Sequence, residues 1–163
     1  MSTVTTTKTS VPEALDTRVL SRILEEGYGP GAWHGADLKA ALADVSEDLA
    51  FWRPSPQRHN IAEIALHHAY YARQVRGRLT GREPGPFVLA GEDWFPLNDG
   101  APMSWSAIVE TVEREQHGLA DALRSGSTLK ADDRIELVLG ITCHAVYHAG
   151  QVQLLKKLAD ERR

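Results

Sequence analysis

The segment HAVYHAG places His144 and His148 four residues apart in a stretch that otherwise reads as buried helix. Burying histidine is costly unless its ring nitrogens find partners. Residues i and i+4 share one face of a helix, so both imidazoles can turn toward one ion. Two ligands rarely make a strong site. A third from a neighbouring helix would leave a tetrahedral ion with one open position. The pair His67 and His68 supplies that candidate. Adjacent helical residues point about 100° apart, so one of them can face inward while the other lies at the side. Spacing alone also fits a plainer role, since HxxxH pairs are often hydrogen-bonded core or surface residues.

These histidines need helices to hold them. The spacing predicts a last helix from about Asp132 to Leu158, with Leu137, Ile141, His144, His148 and Leu155 on one stripe. His67 and His68 fall in a helix that Asn60 can cap, with Glu63 at capping-box spacing and Gly81 as its stop after Thr80. Arg73, Arg76 and Arg78 favour its C-terminal end by complementing the helix dipole. Ser104 can cap a third long helix with an apolar stripe of Trp105, Ile108, Val109, Val112, Leu119 and Leu123, ended by Gly126. A first helix is predicted in SVPEALDTRVLSRILEEG. Ser10 and Glu13 have capping-box spacing there, Pro12 fits the first turn, Leu15, Val19 and Ile23 share a face, and Gly27 is the stop. Leu38, Ala41, Leu42 and Val45 mark one short amphipathic helix, and RPSPQRH breaks the chain after it.

Residues 81 to 103 show no regular period. A loop of that length is uncommon in a compact domain and often functional, and it can carry the chain along a bundle as a crossover. No strand-like alternation of comparable length and no internal repeat appear. The expectation is an all-α four-helix bundle with a long crossover loop between the second and third long helices and one extra short helix. It forms a single domain over residues 11–163, after a disordered tail at 1–10.

Composition narrows the partners. The chain has 163 residues, 42% hydrophobic and 25% charged, with a net charge of −4. No Lys/Arg-rich block gives a case for nucleic acid. Cys143 is the only cysteine, so no internal disulfide forms. The opening MSTVTTTKTS lacks the apolar core of a signal peptide, and no apolar run approaches a membrane span. A cytoplasmic protein is expected.

Two segments resemble the DinB-like (DinB/YfiT) superfamily of metal-dependent bundle proteins. HAVYHAGQVQLLKK is similar to that family's last-helix pattern, H-x-x-Y-H-x-G-Q before an apolar run. HNIAEIALHHAYYARQVRGRLTG is similar to its second helix, and GAWHGADLKAAL and GEDWFPL resemble connecting segments of one branch. The likeness spans roughly residues 15 to 158. It implies a metal held by His67, His144 and His148. His67 matches because Glu63 lies four residues before it and Leu66 immediately before it. The chain departs from the pattern where His68 follows, since that position is usually apolar. His68 is therefore a rival ligand or a partner to one. Relatives include thiol-dependent S-transferases and a thiol-dependent isomerase, so the resemblance implies thiol chemistry, and it also implies a homodimer.

Three neutral imidazoles leave the ion's charge uncompensated. Imidazole suits zinc, nickel, copper or iron; zinc and nickel lead here, and zinc tolerates a tetrahedral site best. Water bound at the open position becomes far more acidic, and a bound thiol is deprotonated. The expected cofactors are thus a divalent ion and a low-molecular-weight thiol. The activity is thiol transfer or hydrolysis, with a non-catalytic, stress-related metal- or small-ligand-binding bundle as the alternative. Glu63 is the one candidate acid or base, and its plainer role is in the helix cap. Gln151 and His34 are candidates to line the pocket or its mouth. Cys143 reads as a small buried hydrophobe, and Trp33, Trp52, Trp94 and Trp105 read as core anchors.

Overall fold

The computed structural model describes residues 13–98, 102–127 and 129–162. Six helices form among them: α1 (Glu13–Gly27), α2 (Leu38–Leu42), α3 (Glu47–Phe51), α4 (Ile61–Thr80), α5 (Trp105–Arg124) and α6 (Ala131–Asp160). Side-chain caps set four of the starts. Asp37, Ser46, Asn60 and Ser104 accept from the backbone N–H of Ala40, Leu49, Glu63 and Ala107, satisfying donors that the first turn of a helix leaves free. Gly81 ends α4 at a φ of 66°, the left-handed conformation that glycine adopts without strain. The Ser10 cap, Pro12, the tail at 1–10 and the Leu15 side chain lie outside the described residues.

The four long helices form a ring in which α4 lies beside α5 and α6, and α1 beside α6 and α5. α2 packs on α6, and α3 on α4. α4 and α5 run in the same direction, since Arg73 pairs with Glu115 and, past their ends, Ser127 Oγ donates to the Leu79 carbonyl at 2.7 Å. The connection between them must therefore return the full length of α4, and it does. Arg73 donates to the carbonyls of Gly85 and Pro86, Asp93 lies against His67, and the Leu97 N–H donates to Glu63. The predicted crossover is this segment. α1 and α6 are also parallel. Arg134 donates to Thr17 Oγ1 at 3.0 Å, and ten residues on Gly27 abuts α6. A Cβ at Gly27 would come within 3.0 Å of Ala145 Cβ and 3.1 Å of the Thr142 carbonyl oxygen, so any side chain there would press α6 away by a few tenths of an ångström.

The apolar core has two parts. One gathers Ile61, Leu66, Phe95, Leu97, Ile108, Val112 and Val152, and the other gathers Leu20, Leu24, Val75, Leu79, Leu119, Leu123 and Ile141. The boundary between them falls after Ala69 on α4, between Val112 and Leu119 on α5 and between Ile141 and Ala145 on α6, so the buried His68, Glu115, Gln116 and Thr142 sit at or beside the waist of the bundle.

Several expectations need correction. The inward face of α1 is that of Leu20 and Leu24, and Val19 is 49% exposed, because the first helix is rotated by one residue from the predicted stripe. A second short helix, α3, follows the predicted one, capped by Ser46 with Glu47 and Asp48 in its first turn. Cys143 is exposed, since it lies on the outer side of α6, away from the face of Ile141, Ala145 and His148. Trp33 is 90% exposed and anchors no core, whereas Trp105 is buried and donates from Nε1 to the Val45 carbonyl at 2.8 Å. Arg73 and Arg76 do not serve the end of α4; both turn to the buried Glu115. No helix among the described residues is long and apolar enough to cross a membrane.

Candidate metal centre

α4 and α6 bring three imidazoles together. His144 Nε2 lies 3.1 Å from His67 Nε2 and 3.1 Å from His148 Nε2. One ring nitrogen from each of the three lies within 4.8 Å of the others. Bonds of about 2.0–2.1 Å at tetrahedral angles would set such nitrogens about 3.3 Å apart, so the donor set fits a zinc-sized ion.

The outer nitrogens explain why the inner ones converge. His67 Nδ1 donates to the Asp93 carbonyl at 2.9 Å, and His148 Nδ1 donates to Gln151 Oε1 at 2.6 Å. Both acceptors lack a proton to give. They therefore fix the tautomer and leave the Nε2 lone pairs pointing inward, as outer hydrogen bonds do at metal-binding histidines. His144 Nδ1 faces His68 Nδ1 at 3.2 Å, and His68 Nε2 faces the Gln116 side-chain amide at 3.1 Å. His144 offers its Nε2 lone pair when its Nδ1–H donates to His68. His68 then carries its proton on Nε2, and the Gln116 amide oxygen must face it. His68 is thus placed behind His144, fully buried, while His67 is in the cluster.

The crossover loop closes the site on the His67 side. Asp93 has a φ of 67°, a left-handed conformation that aspartate tolerates better than most residues. That turn aims both its carbonyl and its carboxylate at His67 Nδ1, with Oδ1 at 3.1 Å. Trp94 then stacks flat on the His67 ring at 3.9 Å between centroids, and His59 stacks on the other face of the indole at 3.6 Å. The three-ring stack locks the His67 rotamer. Sequence reasoning missed Asp93 and the role of Trp94. Their one signal was GEDWFPL, a segment with no helical or strand period.

Burial, first of all, makes the cluster hard to protonate. It lowers His67, pushes His144 down to about 3 and His148 down to about 4, and holds His68 well below the usual histidine range, with repulsion between the rings adding to the effect. The rings are therefore neutral near pH 7, as ligation requires. In the metal-free protein this has a direct consequence for stability. Between the folded values near 3 to 4 and the ordinary 6.5, the unfolded chain binds more protons than the folded one. Stability is fully present above about pH 6.5 and is lost as the pH falls toward 4. Urea titrations of metal-free protein should show uptake of about two to three protons on unfolding near pH 5.5. A midpoint that stays constant between pH 7 and pH 5 would contradict the neutral cluster.

The other candidates lie elsewhere. Glu63 is not in the cluster. Its carboxylate accepts from Arg53 Nη1 at 2.9 Å and Nη2 at 2.6 Å, from the Leu97 N–H at 3.0 Å and from His59 Nδ1 at 2.9 Å. Burial would raise its pKa, but the bonds from Arg53, Leu97 and His59 outweigh that and lower it. Glu63 ties the turn before α4 to the end of the crossover loop. His34 is exposed, with Nε2 donating to the Glu26 carbonyl at 2.7 Å at the end of α1. Gln151 holds His148, donates from Nε2 to the Tyr147 hydroxyl at 3.1 Å, and lines a cavity beside the cluster.

Parallel α4 and α5, a returning crossover and three inward Nε2 atoms define an all-α bundle built around a three-histidine centre. The DinB superfamily model matches residues 32–152, and the chain belongs to that superfamily. Comparison with curated proteins gave no match, and comparison with solved structures gave none.

Proposed function

We propose that the protein binds a divalent metal ion, zinc or nickel, at His67, His144 and His148, and uses it to activate a small-molecule thiol for transfer to an electrophile. The observation that carries this reading is the convergence of three Nε2 atoms whose Nδ1 atoms each have a partner of their own. Bound there, the ion supplies an open position of high positive charge that lowers the pKa of a coordinated thiol or water.

The chain's own residues favour the thiol over water. The cavity beside His148 is lined by His59, Trp94, Tyr147 and Gln151, by Arg58 and other polar residues of the turn before α4, and by apolar side chains, with no carboxylate among them. Hydrolysis gains from a positioned base beside the nucleophile. A coordinated thiol is acidic enough to give its proton to solvent at the open side of the cavity, where Tyr147 and Leu154 are exposed, and its thiolate then needs no base. Tyr147 and Gln151, linked to each other, place a hydroxyl and an amide at the cavity wall where they can orient a polar group of the substrate.

Cobalt substitution provides the test. Titrating the cobalt-loaded protein with several low-molecular-weight thiols should produce the near-ultraviolet charge-transfer band of sulfur ligation, and alanine variants of the triad should give none. If no thiol alters the spectrum while azide or phosphate does, thiol transfer is wrong and a hydrolase, or a bundle that binds metal without turnover, replaces it.

A further inference from the structure

A cavity of about 770 Å³ opens beside the cluster, between the turn at 54–59, Trp94, the start of α4 and the C-terminal half of α6. Its volume suits a ligand of drug-like size. One side is apolar, with Ile64 from α4 and Leu154, Leu155 and Leu158 from α6. Leu154 is 57% exposed, a large aliphatic side chain left open to this space. The same lining includes Arg58, whose backbone carbonyl accepts from Arg53 at 2.8 Å, a bond that fixes the turn carrying it. The nearby acid, Glu63, is occupied by Arg53 and His59 and is not part of this lining. Arg58 therefore shares with this apolar wall a cavity that no carboxylate lines, and His148 stands in the same lining.

We propose that this cavity selects an organic carboxylate with an aromatic or branched aliphatic body. The body lies against Leu154, Leu155 and Leu158, and the carboxylate pairs with Arg58. A planar guanidinium recognises a carboxylate through two parallel hydrogen bonds, and one uncompensated cation matches one negative charge. The assignment names the substrate class of the proposed metal centre. It rests on that reading for the reaction but not for the binding, so the two can fail separately.

Calorimetry on metal-free protein tests it with three probes: 4-phenylbutyrate, the neutral 4-phenylbutanol and acetate. The wild type should bind the acid about fivefold more tightly than the alcohol, the scale of a solvent-accessible ion pair, and acetate too weakly to measure. Arg58→Gln should abolish the preference for the acid and keep the affinity for the alcohol. Leu154→Asp should weaken both. Equal affinities in the wild type, a preference that survives Arg58→Gln, or no binding of either aromatic probe would overturn the assignment. Binding of the acid only after metal loading, unchanged by Arg58→Gln, would place the carboxylate on the ion; that outcome overturns the role of Arg58 and leaves the metal reading standing. Conversely, an Arg58-dependent preference in protein that takes up no metal supports the cavity assignment and removes the reaction built on it.

Discussion

The His144→Ala/His148→Ala double variant should retain essentially no metal after purification without added metal, and the wild type should carry close to one ion per chain. The reason is geometric. Both residues project Nε2 toward His67, and without them one imidazole remains, too few ligands for a stable site. His67→Ala should also lose the ion, because His68 cannot replace it: its ring lies behind His144, bonded to His144 Nδ1 and facing Gln116. His68→Phe should keep the ion but bind it about 10- to 100-fold more weakly, the usual cost of removing an outer hydrogen-bond partner from a ligand histidine. Elemental analysis and competition with a chromophoric chelator would measure all four proteins. Full metal retention in the double variant would end the three-histidine assignment, and equal losses in His67→Ala and His68→Phe would end the distinction between ligand and partner.

Glu115→Ala should destabilise the fold by about 3–5 kcal/mol, the range for removing one partner of a buried ion pair. Glu115 is 2% exposed, with Arg73 at 3.2 Å and Arg76 at 3.0 Å. The pair holds α4 to α5 at the waist of the bundle. The damage comes less from the lost attraction than from the charge left behind, since the Arg73 side chain is only 14% accessible to solvent. Arg73 also holds the carbonyls of Gly85 and Pro86, so the start of the crossover loop should loosen with it. Denaturation in urea at pH 7 gives the number. A loss below about 1 kcal/mol, the level of a surface pair, would show that water reaches the arginines freely. Because Asp93 lies farther along the same loop, metal affinity should fall in this variant even under conditions where it stays folded.

The parts of this fold that the sequence announced are those decided locally. Asn60 and Ser104 begin α4 and α5 because a capping oxygen acts within three residues, and Gly81 stops α4 because a left-handed residue is needed there. The two halves of the HxxxH pair share a face through helix geometry alone. What depends on distant partners was less visible. The stripe on α1 was placed on Val19, yet the close approach of Gly27 to α6 turns the helix so that Leu20 and Leu24 face inward. The short α3 offers no stripe, since only the adjacent Ala50 and Phe51 are buried in it, whereas α2, of equal length, buries Leu38, Ala41 and Leu42; Ser46 and its following acids still mark the start of α3. Glu115 looks like any surface acid until Arg73 and Arg76 are brought to it from another helix. Asp93 was the least legible of all, since its work is done by a carbonyl, the one group every residue has, and only the backbone turn at that position aims it at His67. Family resemblance supplied His67 over His68, a choice that spacing could not make.

His67 and His144 are 77 residues apart in the chain, yet their nitrogens end 3.1 Å from each other. On a ribosome, the first of them is made long before the other two. A growing chain that has reached the end of α5 has one of the three nitrogens, because the other two belong to α6. The centre is thus complete only with α6 in its place between α1 and α4. Synthesis sets one limit: no ion can be held by all three imidazoles until the chain has been made as far as His148.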